Sequence, residues 1–239
     1  MKLNALFIGV LFAMATTVSA ESGRGRFYLG LDVFTVADGG DQWKKDNDAS
    51  IDSLVNVTGY DSASYKMTTT AGLGGRLGVR FPFSSDENAN WGGSVGYVKG
   101  PASDTDFTAD STIVGRGIAN EKIDTSFIRL LLEVSKSFPI GSGSTRFSIG
   151  AGVGAAQGKI EDKTTYAGSF VTSLGAGNES ANKTWTGVTW EINPALTFPS
   201  GTTLIELGVR MAGFPVLKKS DTWSKFSWNP FGVYGALHF

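Results

Sequence analysis

The sequence predicts an all-β chain: a transmembrane antiparallel up-and-down β-barrel of about eight strands, with short periplasmic turns and long extracellular loops. Three observations predict it. Apolar and polar residues alternate with a period of two through eight segments. The connections between those segments alternate between short and long. Aromatic residues gather at the segment ends, where a membrane barrel carries its interfacial belts.

The segments follow in order. In 26–36, Phe27, Leu29, Leu31 and Val33 share one face, with Arg26, Tyr28, Gly30 and Asp32 on the other. In 70–83, Leu73, Leu77, Val79 and Phe81 oppose Gly72, Gly74, Arg76, Gly78 and Arg80. Segment 91–99 sets Trp91, Val95 and Tyr97 against Ser94 and Gly96, and 126–138 sets Ile128, Leu130, Leu132 and Val134 against Arg129 and Glu133. In 146–158, Phe147, Ile149, Ala151 and Val153 alternate with Ser148 and glycines. Segment 185–198 places Trp190, Ile192, Leu196 and Phe198 opposite Glu191, Asn193 and Thr197. Segment 203–213 places Ile205, Leu207, Val209 and Met211 opposite Glu206, Gly208 and Arg210. The last, 226–239, places Phe231, Val233, Leu237 and Phe239 opposite Gly232, Tyr234, Ala236 and His238. Pro194 and Pro230 fall within these segments; proline cannot donate to a ladder, so each is expected at a bulge or a strand start.

Connections 83–90, 139–145 and 199–202 are short and rich in Gly, Ser, Pro or Asn. Between them lie the polar stretches 37–69, 100–125 and 159–184, expected as outer loops, and a shorter fourth at 214–225. With the N-terminus in the periplasm, Phe27, Phe81, Trp91, Phe138, Phe147, Phe198 and Phe239 form the inner belt. Tyr97, Trp185, Trp190 and Trp228 form the outer one.

Residues 1–20 stand apart from the fold. Lys2, an apolar run over 3–15 and Val18-Ser19-Ala20 before Glu21 have the layout of a cleaved secretion signal, leaving 21–239 as one barrel domain. The chain has no cysteine, which closes the lipoprotein route and excludes disulfides and thiolate metal sites. A net charge of -1 gives no electrostatic reason to bind nucleic acid.

The closing residues Phe231-Gly232-Val233-Tyr234-Gly235-Ala236-Leu237-His238-Phe239 resemble the C-terminal strand of bacterial outer-membrane proteins, with Val233, Leu237 and Phe239 in the matching phases. With the signal peptide and the eight segments, the chain resembles the small-barrel group of the opacity proteins, the OmpA membrane domain and OmpX. The resemblance implies a Gram-negative outer membrane, contact with its lipid and lipopolysaccharide, and recognition of Val233, Leu237 and Phe239 by the barrel-assembly machinery.

An eight-stranded barrel is just wide enough for side chains to fill it. Asp32, Arg76, Arg80, Arg129, Glu133, Glu191, Glu206 and Arg210 all take the inward phase. An arginine on the lipid face near the midplane would cost roughly 2–4 kcal/mol, whereas inside these charges can pair. The bland reading is a salt-bridged plug; the functional one is a narrow polar pore. A soluble lipocalin-like barrel would invert the phases, and the belts, the loop asymmetry and the terminal Phe239 argue against it.

Candidate chemistry is sparse. A serine nucleophile needs a base within reach, and the one histidine, His238, is expected at the periplasmic rim, far from an outer-leaflet substrate. Asp46-Asn47-Asp48-Ala49-Ser50-Ile51-Asp52 starts like a calcium loop, but lacks the glycine at its sixth position and has Val57 in place of the closing glutamate, so a solvated acidic loop is expected. No catalytic, cofactor or metal site is expected. Trp43, Tyr60, Tyr65, Phe107, Tyr166, Phe170 and Trp223 either pack among themselves or mark a contact surface for a host or surface ligand. The functional expectation is a non-enzymatic surface barrel serving envelope structure, adhesion or recognition. The alternatives are a narrow channel for small solutes and, further off, an enzyme acting on lipid A.

Overall fold

The computed structural model describes residues 25–35, 37–56, 58–83, 85–217 and 227–239, with 37–42 and 87 described by backbone alone. The expected signal, 1–20, lies outside the described residues, as do Val57 and Trp223.

The strands are β1 (Arg26–Phe34), β2 (Ser62–Thr70), β3 (Gly72–Phe83), β4 (Asp86–Asp110), β5 (Gly117–Pro139), β6 (Arg146–Gly168), β7 (Glu179–Ser200), β8 (Thr203–Gly213) and β9 (Phe231–His238). Helix α1 (Ala37–Asn56) follows β1, and the single turn α2 (Ser169–Thr172) follows β6. All pairings are antiparallel, and the ring runs β1, β3, β4, β5, β6, β7, β8, β9 and back to β1. Closure rests on β1 against β9, with Leu29 opposite Leu237. A closed ring leaves no backbone edge to hydrocarbon, which is the condition for a sheet to span a membrane. The chain therefore forms an eight-stranded up-and-down barrel of the transmembrane type.

The ends differ as expected. Ser200 pairs with Thr203 around a two-residue turn, whose first central residue, Gly201, has φ +62°, the backbone a type II′ hairpin requires. The loops differ from expectation. Residues 100–125 are mostly strand, since β4 and β5 continue as a hairpin up to Ala109 opposite Gly117. Residues 159–184 likewise extend β6 and β7 to Thr164 opposite Glu179. β2 prolongs the line of β3, pairing with the upper part of β4 (Tyr65 opposite Phe107). The physical reason is that period-two alternation continues above the membrane with polar outer residues, so its apolar signal fades while its hydrogen bonds do not.

Burial alternates along the strands as a membrane barrel needs. Leu31, Leu77, Leu132, Val153 and Leu207 face outward and are exposed. On β5 the outer face changes from Val134, Leu132, Leu130 and Ile128 to Ser126, Asp124 and Lys122, which marks the upper edge of the apolar band. Above that edge Lys99 pairs with Asp124 at 3.7 Å and Lys122 with Asp104 at 3.4 Å across neighbouring strands. A bulge between Lys99 and Ala102 switches the inward phase of β4, turning Phe107 into the barrel. Pro194 produces neither bulge nor strand start: Ile192 opposite Met211 and Ala195 opposite Gly208 keep one register across it. Pro230 lies directly before β9, which begins at Phe231 instead of 226; residues 218–226 lie outside the described residues.

The first expected loop is also corrected. Residues 37–56 are helical, and Trp43, Asn47, Ile51 and Leu54, at spacings of four, four and three, turn one face toward the sheet. Trp43 and Asn47 are buried, and Asn47 Nδ2 donates to Thr105 Oγ1 at 3.4 Å. The acidic run 46–52 thus lies on a helix instead of a solvated loop. Tyr65 ties β2 to that helix by donating to Asp48 at 2.7 Å, and this bond pushes the phenol up from its ordinary value.

Candidate functional site

The barrel interior is the candidate site, and small residues create the room for it. Gly152 faces inward, and a Cβ there would lie 3.1 Å from Glu191 Cγ. At Gly72 a Cβ would lie 2.6 Å from the Trp228 ring. Glu191 of the neighbouring β7 and Trp228, just before β9, occupy the volume these glycines leave.

The structure brings all eight inward charges of the sequence reading into one lattice. Arg76 reaches Glu133 at 3.0 Å and Glu191 at 2.9 Å. Arg129 reaches Glu191 at 3.0 Å, and Arg80 reaches Glu206 at 2.8 Å. Arg210 pairs with Asp32 and stands 3.6 Å from Glu191. Four guanidinium groups meet four carboxylates, so the lattice is neutral. Neutral hydrogen-bond partners, whose roles the sequence reading did not single out, complete it. Tyr28 donates to Glu133 at 2.7 Å, Tyr234 to Glu206 at 2.7 Å, and Asn193 to Glu191 at 2.8 Å. Their signal was available in the inward phase of 28, 193 and 234. Arg210 also lies 4.0 Å above the Tyr234 ring. Buried charges are tolerated when paired and hydrogen-bonded, and each of these is.

A second, apolar layer sits above the lattice. Phe34, Phe127, Phe214, Leu217 and Trp228 are buried together with Trp43 of α1. Phe214 and Trp228 stack at 4.5 Å between ring centroids, and Phe214 lies 4.6 Å from Phe127. Arg129 joins the two layers, its guanidinium 4.8 Å from the Phe214 ring. Trp228 was expected in the outer aromatic belt. Instead it is fully buried inside, with Nε1 donating to Thr35 O at 3.1 Å. It precedes β9, so strand alternation did not govern its direction. Trp185 packs against the same cluster, partly buried. Tyr97 and Trp190 do face outward, and Phe27, Trp91, Phe138 and Phe239 are exposed at the opposite end.

The loop aromatics pack inward as well. Tyr60, Phe107 and Phe170 are buried, with Tyr65 and Tyr166 against them. Tyr60 and Phe170 meet edge to face at 5.5 Å. Among the described residues no cluster of His, Asp or Glu has the arrangement of a metal site. His238 is buried at the lower mouth, Nε2 3.2 Å from Glu206. Val233, Leu237 and Phe239 lie on the outer face of β9 and the chain end.

An apolar exterior, a closed backbone and a charge-paired interior define an integral membrane β-barrel. No protein-family model matches the sequence, and no curated protein does. Among solved structures it is similar to neisserial surface protein A, at 8% identity over 89% of this chain and 95% of that one, TM-score 0.44. It is also similar to the outer membrane protein OprG from Pseudomonas aeruginosa, at 15% identity over 90% and 96%, TM-score 0.43. A third is the E. coli outer membrane protein W, at 12% identity over 90% and 97%, TM-score 0.31.

Proposed function

We propose that the protein is a non-enzymatic barrel of a bacterial outer membrane, delivered by its N-terminal signal. Its role is to present the extended β4–β7 sheet and α1 outside the cell for envelope structure, adhesion or recognition. Its lipid-facing surface meets membrane lipid and lipopolysaccharide, and Val233, Leu237 and Phe239 are the residues offered to the barrel-assembly machinery.

The observation that carries this reading is the filled interior. The neutral lattice around Glu191 and the aromatic layer around Trp228 follow each other along the barrel axis. A solute would have to separate buried ion pairs, each costing about 3–5 kcal/mol to break, and then displace packed rings. That favours a rigid presenting scaffold over the narrow-channel reading. Purified mature protein in a planar bilayer tests it. The expected record has no steady open state; a stable, reproducible unit conductance would overturn the proposal.

A further inference from the structure

Below the lattice, the mouth that carries both strand ends opens into a cavity of about 530 Å³. Arg26, Arg80, Arg146 and His238 line it, together with hydroxyls such as Ser135, Ser137 and Ser148. The one carboxylate among its described lining residues, Glu206, is already taken by Arg80 at 2.8 Å and Tyr234 at 2.7 Å. Arg26 and Arg146 have no carboxylate partner among the described residues, and Arg146 is held instead by the neutral amide oxygen of Asn88.

Donors therefore outnumber acceptors here. Nε of Arg80 and Nε of Arg146 are buried with no hydrogen-bond partner. A buried donor left unmade costs about 1–3 kcal/mol. A group bearing several acceptor oxygens and negative charge would supply what the cavity lacks, and a guanidinium fork matches such a group with two parallel bonds.

We propose that this lower mouth is an oxyanion-binding site, taking a phosphate or carboxylate group of a small molecule. Arg146 and Arg26 bind its charge, and the serine hydroxyls of β5 and β6 donate to its oxygens. The cavity falls in the size range of small-molecule sites, about 300–1,000 Å³, so the anionic group belongs to something larger than a bare ion. The site lies beneath the closed layers and is independent of whether they conduct.

Calorimetric titration of the refolded mature protein, in detergent and a buffer free of both anions, provides the test, with inorganic phosphate and acetate as separate probes. Binding of either probe with Kd at or below about 1 mM is expected, and which one binds identifies the chemistry. Arg146→Gln, which stands outside the lattice, should weaken it about tenfold, the loss of one charge-assisted bond. Arg26→Gln should weaken it in the same direction. Both variants should keep the wild-type gel shift on boiling, so that loss of binding is not loss of fold. Absence of saturable binding to both probes, or equal affinity in Arg146→Gln, would overturn the proposal.

Discussion

Arg76 on β3 and Glu191 on β7 meet at 2.9 Å, from strands that stand opposite each other in the closed ring. The pair spans the barrel, and Glu191 takes Arg129 from β5 at 3.0 Å as well. Removing Glu191 strands the buried guanidinium of Arg129 and leaves Arg76 to Glu133 and Asp32 alone. Glu191→Leu should lower unfolding stability by about 3–5 kcal/mol, read as a shift of the urea midpoint in lipid vesicles. Replacing Arg129 with Met in the same chain should recover part of that loss, because one orphaned charge leaves with it.

Gly78 and Tyr28 make a tighter test of interior packing. A Cβ at position 78 would enter the Tyr28 ring, whose hydroxyl donates to Glu133 at 2.7 Å. Gly78→Val should cost about 1–3 kcal/mol by overpacking. Combining it with Tyr28→Ala should cost less than the sum of the two single changes.

Helix α1 depends on Trp43, which is buried in the aromatic layer. Trp43→Ala should remove about 3–5 kcal/mol of packing. The loss should appear as protease cleavage within 37–56 and faster amide exchange there, with the gel shift of the barrel retained. Unchanged protease resistance would show that the helix is held by other contacts.

The Tyr65 bond to Asp48 gives a pH dependence outside the membrane. Its phenol is raised above 10.0 in the folded state, chiefly by that hydrogen bond. The stabilisation is therefore present below the unfolded value and lost as pH rises through the raised folded value. Ultraviolet difference titration of the wild type against Asp48→Asn should show one tyrosine, Tyr65, ionising at lower pH once the bond is removed. An identical titration curve in Asp48→Asn would contradict the assignment.

The barrel was legible because a membrane strand repeats every two residues and carries its contrast in side-chain chemistry. Alternation around Arg76, Glu133 and Glu206 gave their facing, and the lattice follows from facing plus the small bore. The height of the barrel was less legible. Outer residues such as Asp104, Lys122 and Asp124 are polar in both a loop and a strand above lipid, so composition cannot separate the two. Helix α1 left a signal in Trp43, Ile51 and Leu54, but only three apolar residues among many polar ones expressed it. Trp228 left none, because its direction is set by a non-strand segment folding back onto Phe214. The partners of the lattice, Tyr28 and Tyr234, needed distances as well as phase.

The central claim is that Leu77 and Leu207 touch acyl chains while the charges on the other face of the same strands are sealed inside. The chain has no cysteine, so single cysteines at 77 and 207 can each carry a nitroxide label, with Lys122 as a site above the membrane. In lipid vesicles, labels at 77 and 207 should relax strongly with oxygen and weakly with a water-soluble nickel chelate, and the label at 122 should do the reverse. Strong relaxation by the nickel chelate at 77 and 207 would mean that this face meets water, and the membrane barrel described here would be wrong.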